Sequence, residues 1–412
     1  MKKIHGKMMK GITVKSLMML LALAGSNYCH AQQATIVVSN ATSAARTELI
    51  SLNMSEIKAK LGNAAPKKSE AFIVKNTRGQ QIGSQITHDG LLLIDASVRP
   101  HGSATYYVSI GKPYQQKVYA TGALYKIRKD DIAWENDRCA YRVYGPALQR
   151  TGERSFGTDV WVKNTPDTVV YERYVKDMNG NIKGDKIDAK VRDILTSFHL
   201  DHGNGLDPYR VGATLGLGAP SLMVGKNQVL PYCYKDYRIL DNGPLRFTVE
   251  LTYNPSTVGD MKNVVEHRII SLDKGSNFNK MTVWYDGLTT PTDFATGFPI
   301  HEEDTETKTF AKDYVSYADP TDNVEVNNSQ VFVGVLFPEG TDHTYYQLFD
   351  KKHDGATGHA LGLKRGLKNQ EKYSYYFGAA WSKYDVRSYA EWQIRIKDYL
   401  DALKNPLQVE IK

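Results

Sequence analysis

The sequence predicts a mainly β protein: a small Ig-like β-sandwich, then a large sandwich of two broad antiparallel sheets, with one helix near the C-terminus. Three observations carry this. Short runs of β-branched and aliphatic residues recur between turn-forming stretches. "LRFTVELTY" alternates without a fault, Leu245, Phe247, Val249, Leu251 and Tyr253 against Arg246, Thr248, Glu250 and Thr252, which marks a strand with one buried face. One stretch near the end holds helical periodicity behind a capping pattern.

In chain order, residues 1–31 stand apart from the fold. A basic leader, the short apolar run "SLMMLLALAG" and a small residue before Gln32 read as a secretory signal, so the protein is expected to be exported, periplasmic or secreted. Cys29 invites a lipoprotein reading, but Tyr28 precedes it where a small residue is usual. The leader supplies Lys2, Lys3, Lys7, Lys10 and Lys15 and no acid. Of 52 basic and 45 acidic residues, the mature chain therefore keeps 47 and 45, a net of +2. That balance gives no reason to expect a nucleic acid partner. No later apolar run is long enough for a membrane helix.

Residues 32–115 read as the small sandwich. "ATIVVSN", "TELISLNM", "EAFIVKN", "LLLIDASV" and "ATYYVSIG" are its strands, with "NTRGQ", "THDG" and "RPHG" among the turns. All tryptophans lie at or after Trp134, and this aromatic shift sets the boundary near residue 115. Residues 116–412 read as the large sandwich, in which "VVEHRIISL", "NKMTVWYDGL", "QVFVGVLFP" and "TYYQLFD" continue the strands. Ser388 and Glu391 open a helix whose core stripe is Tyr389, Trp392, Ile396, Tyr399 and Leu403. Pro406 stops it, and "LQVEI" forms a last strand. Cys139 and Cys233 read as buried or unpaired thiols in preference to a disulfide.

Three segments carry groups suited to a sugar, whose apolar ring faces stack on aromatics and whose hydroxyls need paired donors and acceptors. In "AWENDRCAYRVYGPALQ", a single strand would set Trp134, Asn136, Arg138, Arg142 and Tyr144 on one face and Glu135 and Tyr141 on the other. A ring and two guanidiniums together suit a uronate carboxylate. The same stretch reads equally well as a strand whose arginines pair with neighbouring carboxylates. In "SFHLDHGNGLDPYRVG", His202 and Tyr209 are proton-transfer candidates, Arg210 an anion holder and Asp207 a substrate-binding group. His199 and His202 are three apart, yet Gly203 and Gly205 oppose a helix there. Asp201, Asn204 and Asp207 miss the spacing of a calcium loop. No cofactor is expected, with calcium the one ion left open. In "GFPIHEEDTET", His301 is the proton-transfer candidate and Glu302 lies beside it, while the acidic run after it reads as a solvated loop. Lys235 and Trp381 join as groups lining a cleft. The signatures of serine hydrolases, nucleotide enzymes and zinc proteases do not occur.

The stretches "WENDRCAYRVYGPALQRTGERSFGTDVWVK", "LDHGNGLDPYRVGATLGLGA" and "YYFGAAWSKYDVRSYAEW" resemble a family of secreted proteins of unknown function from polysaccharide-degrading Gram-negative bacteria. Members tend to be encoded beside unsaturated-uronyl hydrolases and pectin-degrading enzymes. Their main domain is similar to the galactose-mutarotase-like supersandwich. The resemblance implies an acidic oligosaccharide or polysaccharide, pectin-like, as partner, but transfers no catalytic residue. Proton-transfer chemistry follows as the expectation, β-elimination first, with mutarotation or plain sugar binding as alternatives; for mutarotation the catalytic candidates are His202 or His301 as acid with Glu135 or Glu302 as base.

Overall fold

In the computed structural model, residues 33–179, 188–302, 306–320 and 328–412 are described. The leader with Cys29, and Glu303 to Thr305 of the acidic loop, lie outside these residues.

The chain is mainly β, built from antiparallel sheets. The N-terminal strands make two small sheets, one ordered Gln408–Ile411, Gln33–Ser39, Ser103–Gly111, Ala71–Asn76, the other Arg46–Asn53, Leu91–Val98, Ser84–Ile86. Alternation puts Ala34, Ile36 and Val38 opposite Leu92, Ile94 and Ala96 in a core of their own. The boundary at 115 assigns the final strand to the large sandwich. The structure instead returns it to the small one, pairing Ile411 with Ile36 and Val409 with Val38.

A nine-stranded sheet forms one layer of the large body. Its central strands are Arg246–Tyr253, Met261–Asp273, Phe278–Asp286 and Tyr373–Trp381. Phe247, Val249, Leu251 and Tyr253 point inward, as their alternation requires. Two five-stranded sheets face this layer. One is built around Asp131–Glu135, Cys139–Val143 and Asp159–Lys163, the other around Thr292–Ile300 and Ala356–Leu367. Residues 214–218 join the two: Leu217 N–H donates to Thr158 O and Gly218 N–H to Gly297 O. The inward face of Met261–Asp273 also holds Glu266 and Arg268, 2.6 Å apart. The Arg268 guanidinium lies over the Tyr253 ring at 4.1 Å, and the Tyr285 hydroxyl donates to Glu266.

The C-terminal helix, Tyr389–Lys404, packs Trp392, Ile396 and Leu400 on the outer side of the nine-stranded sheet. Ser388 Oγ accepts from Glu391 N, while the Glu391 carboxylate takes the N–H of Arg387, one residue before the cap. Cys139 and Cys233 are both free and buried. Burial pushes their thiols up to about 12 and about 11, which removes thiolate reactivity at neutral pH. No helix among the described residues is long and apolar enough to cross a membrane.

Candidate functional site

The segment 131–144 is a hairpin, which corrects the single-strand reading of its faces. Asn136 turns the chain: its Oδ1 accepts from Arg138 N and Cys139 N, and its Nδ2 donates to the carbonyls of Asp273 and Ser276. The three residues 136–138 stand between the strands, so Trp134 pairs with Tyr141 and Ala133 with Arg142. Trp134 therefore faces the main core, fully buried, its indole N–H donating to Asn279 Oδ1 at 2.7 Å. No face of its ring is open to a sugar. Glu135 and Arg142 share the opposite face, beneath helix Val170–Asn179, against which helix Ala189–Thr196 packs.

Neither is a solvent-facing ligand group. Glu135 accepts from Lys163 Nζ at 2.8 Å and from the N–H groups of Val169 and Val170, placing its charge at the start of the first helix. Arg142 is buried against Asp159 Oδ2 at 2.8 Å and Asp207 Oδ2 at 2.8 Å, with Asp131 at 3.5 Å. Its guanidinium stacks over Tyr144 and Trp161. Three carboxylates surround one cation, and burial in that company raises Asp131 to about 6. Tyr144 and Asp207 are buried in the same network, and Trp381 is buried with its indole N–H on Asn328 O. These are packing and charge-pairing positions, and the uronate contact expected of Arg142 is occupied from within the chain. Arg138 is half-buried and pairs with Asp385. Lys235 is exposed beside Asp236, distant in sequence and in contact from the rest.

In the loop 197–212, His202 Nε2 lies 2.9 Å from Ser197 O and His199 Nδ1 lies 3.0 Å from Asp207 O. Asp201 Oδ1 takes the N–H groups of Gly203 and Gly205. The histidines thus tie the loop to itself. Gly205, at φ 97°, is required: a Cβ there would stand 2.2 Å from Val162 O.

The end of this loop meets the end of strand Thr292–Ile300, and the candidate site forms there. His301 is buried with Nδ1 2.7 Å from Asp319 Oδ2, while its Nε2 makes no hydrogen bond of good geometry, the Arg210 backbone lying close to the ring. Burial disfavours the charged ring, but the Asp319 carboxylate outweighs it, and the pKa of His301 is raised. Tyr209 stands edge-on to the ring, centroids 6.1 Å apart, and its buried hydroxyl has no partner. Burial, then the charge of Asp319, holds this phenol well above its ordinary pKa, so it stays protonated. Gly355 brings the turn 353–355 against the pair: a Cβ on it would lie 3.3 Å from Arg210 Nη1 and 3.8 Å from His301 Cδ2. Arg210 is exposed, and Glu302 is exposed with its N–H on the Tyr317 hydroxyl at 3.1 Å.

Of the residues read from the sequence, Tyr209, Arg210, His301 and Glu302 come together. Asp319 carries no sequence signal of its own: it ends the strand Tyr314–Asp319, which is buried on both faces and shows no alternation, just before Pro320. Its carboxylate orients the imidazole and supports its positive charge, which leaves Nε2 as the ring nitrogen that Asp319 does not engage. Among the described residues, no three His, Cys, Asp or Glu side chains gather with the geometry to hold a metal ion.

A protein of Formosa agariphila, described as uncharacterized protein P7, is 26% identical over 338 residues, covering 78% of each chain. Among solved structures, a glycosyl hydrolase family 38 protein from Enterococcus faecalis superposes with a TM-score of 0.49 at 9% identity. An α-mannosidase from Enterococcus faecalis V583 gives 0.47 at 8%. Each aligns with 92% of this chain, which spans about half the length of those structures, 47% and 46%. A family model described as a domain of unknown function, DUF4861, matches residues 38–409, and the protein belongs to that family.

Proposed function

We propose that the protein acts on uronate-containing oligosaccharides by proton transfer at His301, with β-elimination as the reaction. The observation that carries this is the buried His301–Asp319 pair at 2.7 Å, whose Nε2 is left without a hydrogen bond of good geometry beside an unpartnered Tyr209 hydroxyl. Orphaned buried atoms occur elsewhere in the chain, within the Arg142 network among other places, but here the two sit on rings in edge-on contact at a junction of loop and strand ends, an arrangement suited to groups brought by a ligand. In the proposed step, neutral His301 takes the proton from C5 of the uronate through Nε2. The C4–O bond breaks as the C4=C5 double bond forms, and the departing oxygen takes the Tyr209 proton. Arg210 pairs with the carboxylate and draws charge from C5. The acidic sugar comes from the resemblance of the three quoted stretches and from this exposed guanidinium.

The test is incubation with oligogalacturonides, ulvan-type and glycosaminoglycan fragments while following ultraviolet absorbance of the unsaturated product. Activity should vanish in His301→Ala and fall in Tyr209→Phe, about 10²–10⁴-fold for a lost general acid or base. A flat trace with the wild-type protein on all three classes removes elimination. Unchanged activity in His301→Ala removes the site.

A further inference from the structure

A second place of interest lies between the two sandwiches. A recess of about 1190 Å³ is floored by the outer face of the nine-stranded sheet and walled by strand Arg46–Asn53 and by the end of the C-terminal helix. None of its lining residues belongs to the His301 cluster. Pockets for small molecules run to about 300–1,000 Å³, so this volume exceeds what a single sugar ring fills.

The floor is set by strand register. Thr248 pairs with Ser271, Ser271 with Lys280 and Lys280 with Tyr376, which makes one row across four strands. Ile269, Thr282 and Ser374 make the next. Hydroxyls stand in pairs along these rows, Thr248 with Ser271 at 3.1 Å and Thr282 with Ser374 at 2.8 Å; Thr248, Ser271 and Thr282 line the recess, with Thr248 buried beneath its neighbours. Lys280 is exposed and has no acidic partner among the described residues. The walls hold fixed charge pairs, among them Arg46 with Glu48 and Arg246 with Asp273. Arg138, expected from the sequence to meet a sugar, belongs to this wall. Donors and acceptors held at fixed spacing match the vicinal hydroxyls of a glycan, and domain junctions are common places for such sites.

We infer that this recess is a glycan-binding cleft, separate from the His301 cluster, that holds several rings of a uronate-containing chain with a carboxylate on Lys280. The inference rests on the proposed sugar class but not on the proposed reaction. Its test is calorimetric titration of the full-length chain with hexagalacturonate, on the wild type, Ser271→Trp, Lys280→Ala and His301→Ala, with Tm recorded for each. Ser271→Trp fills the floor and Lys280→Ala removes only an exposed charge, so the second decides if the first misfolds. The expected result is binding by the wild type and by His301→Ala, with affinity lowered about tenfold or more in both floor variants. Absence of binding to the wild type overturns the inference. So does wild-type affinity in a folded floor variant, or binding lost only in His301→Ala. Failure of the elimination assay with binding intact would overturn the reaction and leave the cleft standing.

Discussion

Replacing Arg142 with leucine distinguishes a ligand-binding arginine from one that neutralises the chain's own acids. Arg142 is buried within hydrogen-bonding distance of Asp159 and Asp207, with Asp131 at 3.5 Å. Leucine would strand these carboxyls beneath helix Val170–Asn179 with no cation. Removing one partner of a buried pair costs about 3–5 kcal/mol. At about 2–4 °C per kcal/mol for a domain of this order of size, Tm should fall roughly 6–20 °C. The loss should also depend on pH. Stranded carboxyls titrate above their unfolded values, so the folded variant binds more protons than its unfolded chain between those values, and its stability falls as pH rises. The deficit against wild type should therefore be largest near pH ~7 and narrow toward pH ~4. Thermal melts of both proteins across that range measure it. A deficit under about 1 kcal/mol, or one that is equally large at both ends, would refute the buried-network account.

Other expectations follow from the same contacts. The raised pKa of His301 means that its pair with Asp319 contributes stability fully below about pH 6.5 and loses it as pH rises through the higher folded value. His301→Gln should flatten that part of the Tm profile, and an unchanged slope would count against the pair. Gly297→Ala would set a Cβ 1.7 Å from Ala360 O, forcing apart the strands that end at the site. Poor soluble yield or a Tm several degrees lower should result, and a wild-type melt would contradict the strand geometry. Ser388→Ala removes the helix cap and should cost about 1 kcal/mol in denaturant titration, with Ser388→Asp close to wild type.

The sequence by itself determined the elements. Period-two alternation in 246–253 and the capped stripe from Tyr389 were legible because each reports one exposed and one buried face, a local property. It also placed Tyr209, Arg210, His301 and Glu302 on the segments that converge. Whether a polar residue met solvent or another residue was not legible. Asn136 turns three residues out of the strand, and that short excursion reverses which side Arg142 faces. Trp134 and Trp381 look alike in composition to sugar platforms, yet both fill the core, because a flat ring serves either purpose. Asp319 lies on a different sheet from His301, and only the stacking of the sheets brings its carboxylate to Nδ1. The return of Gln408–Ile411 to the first sandwich, and the recess between the bodies, were decided in the same way. Strand pairing across hundreds of residues leaves no local mark, since any alternating strand can close any open edge.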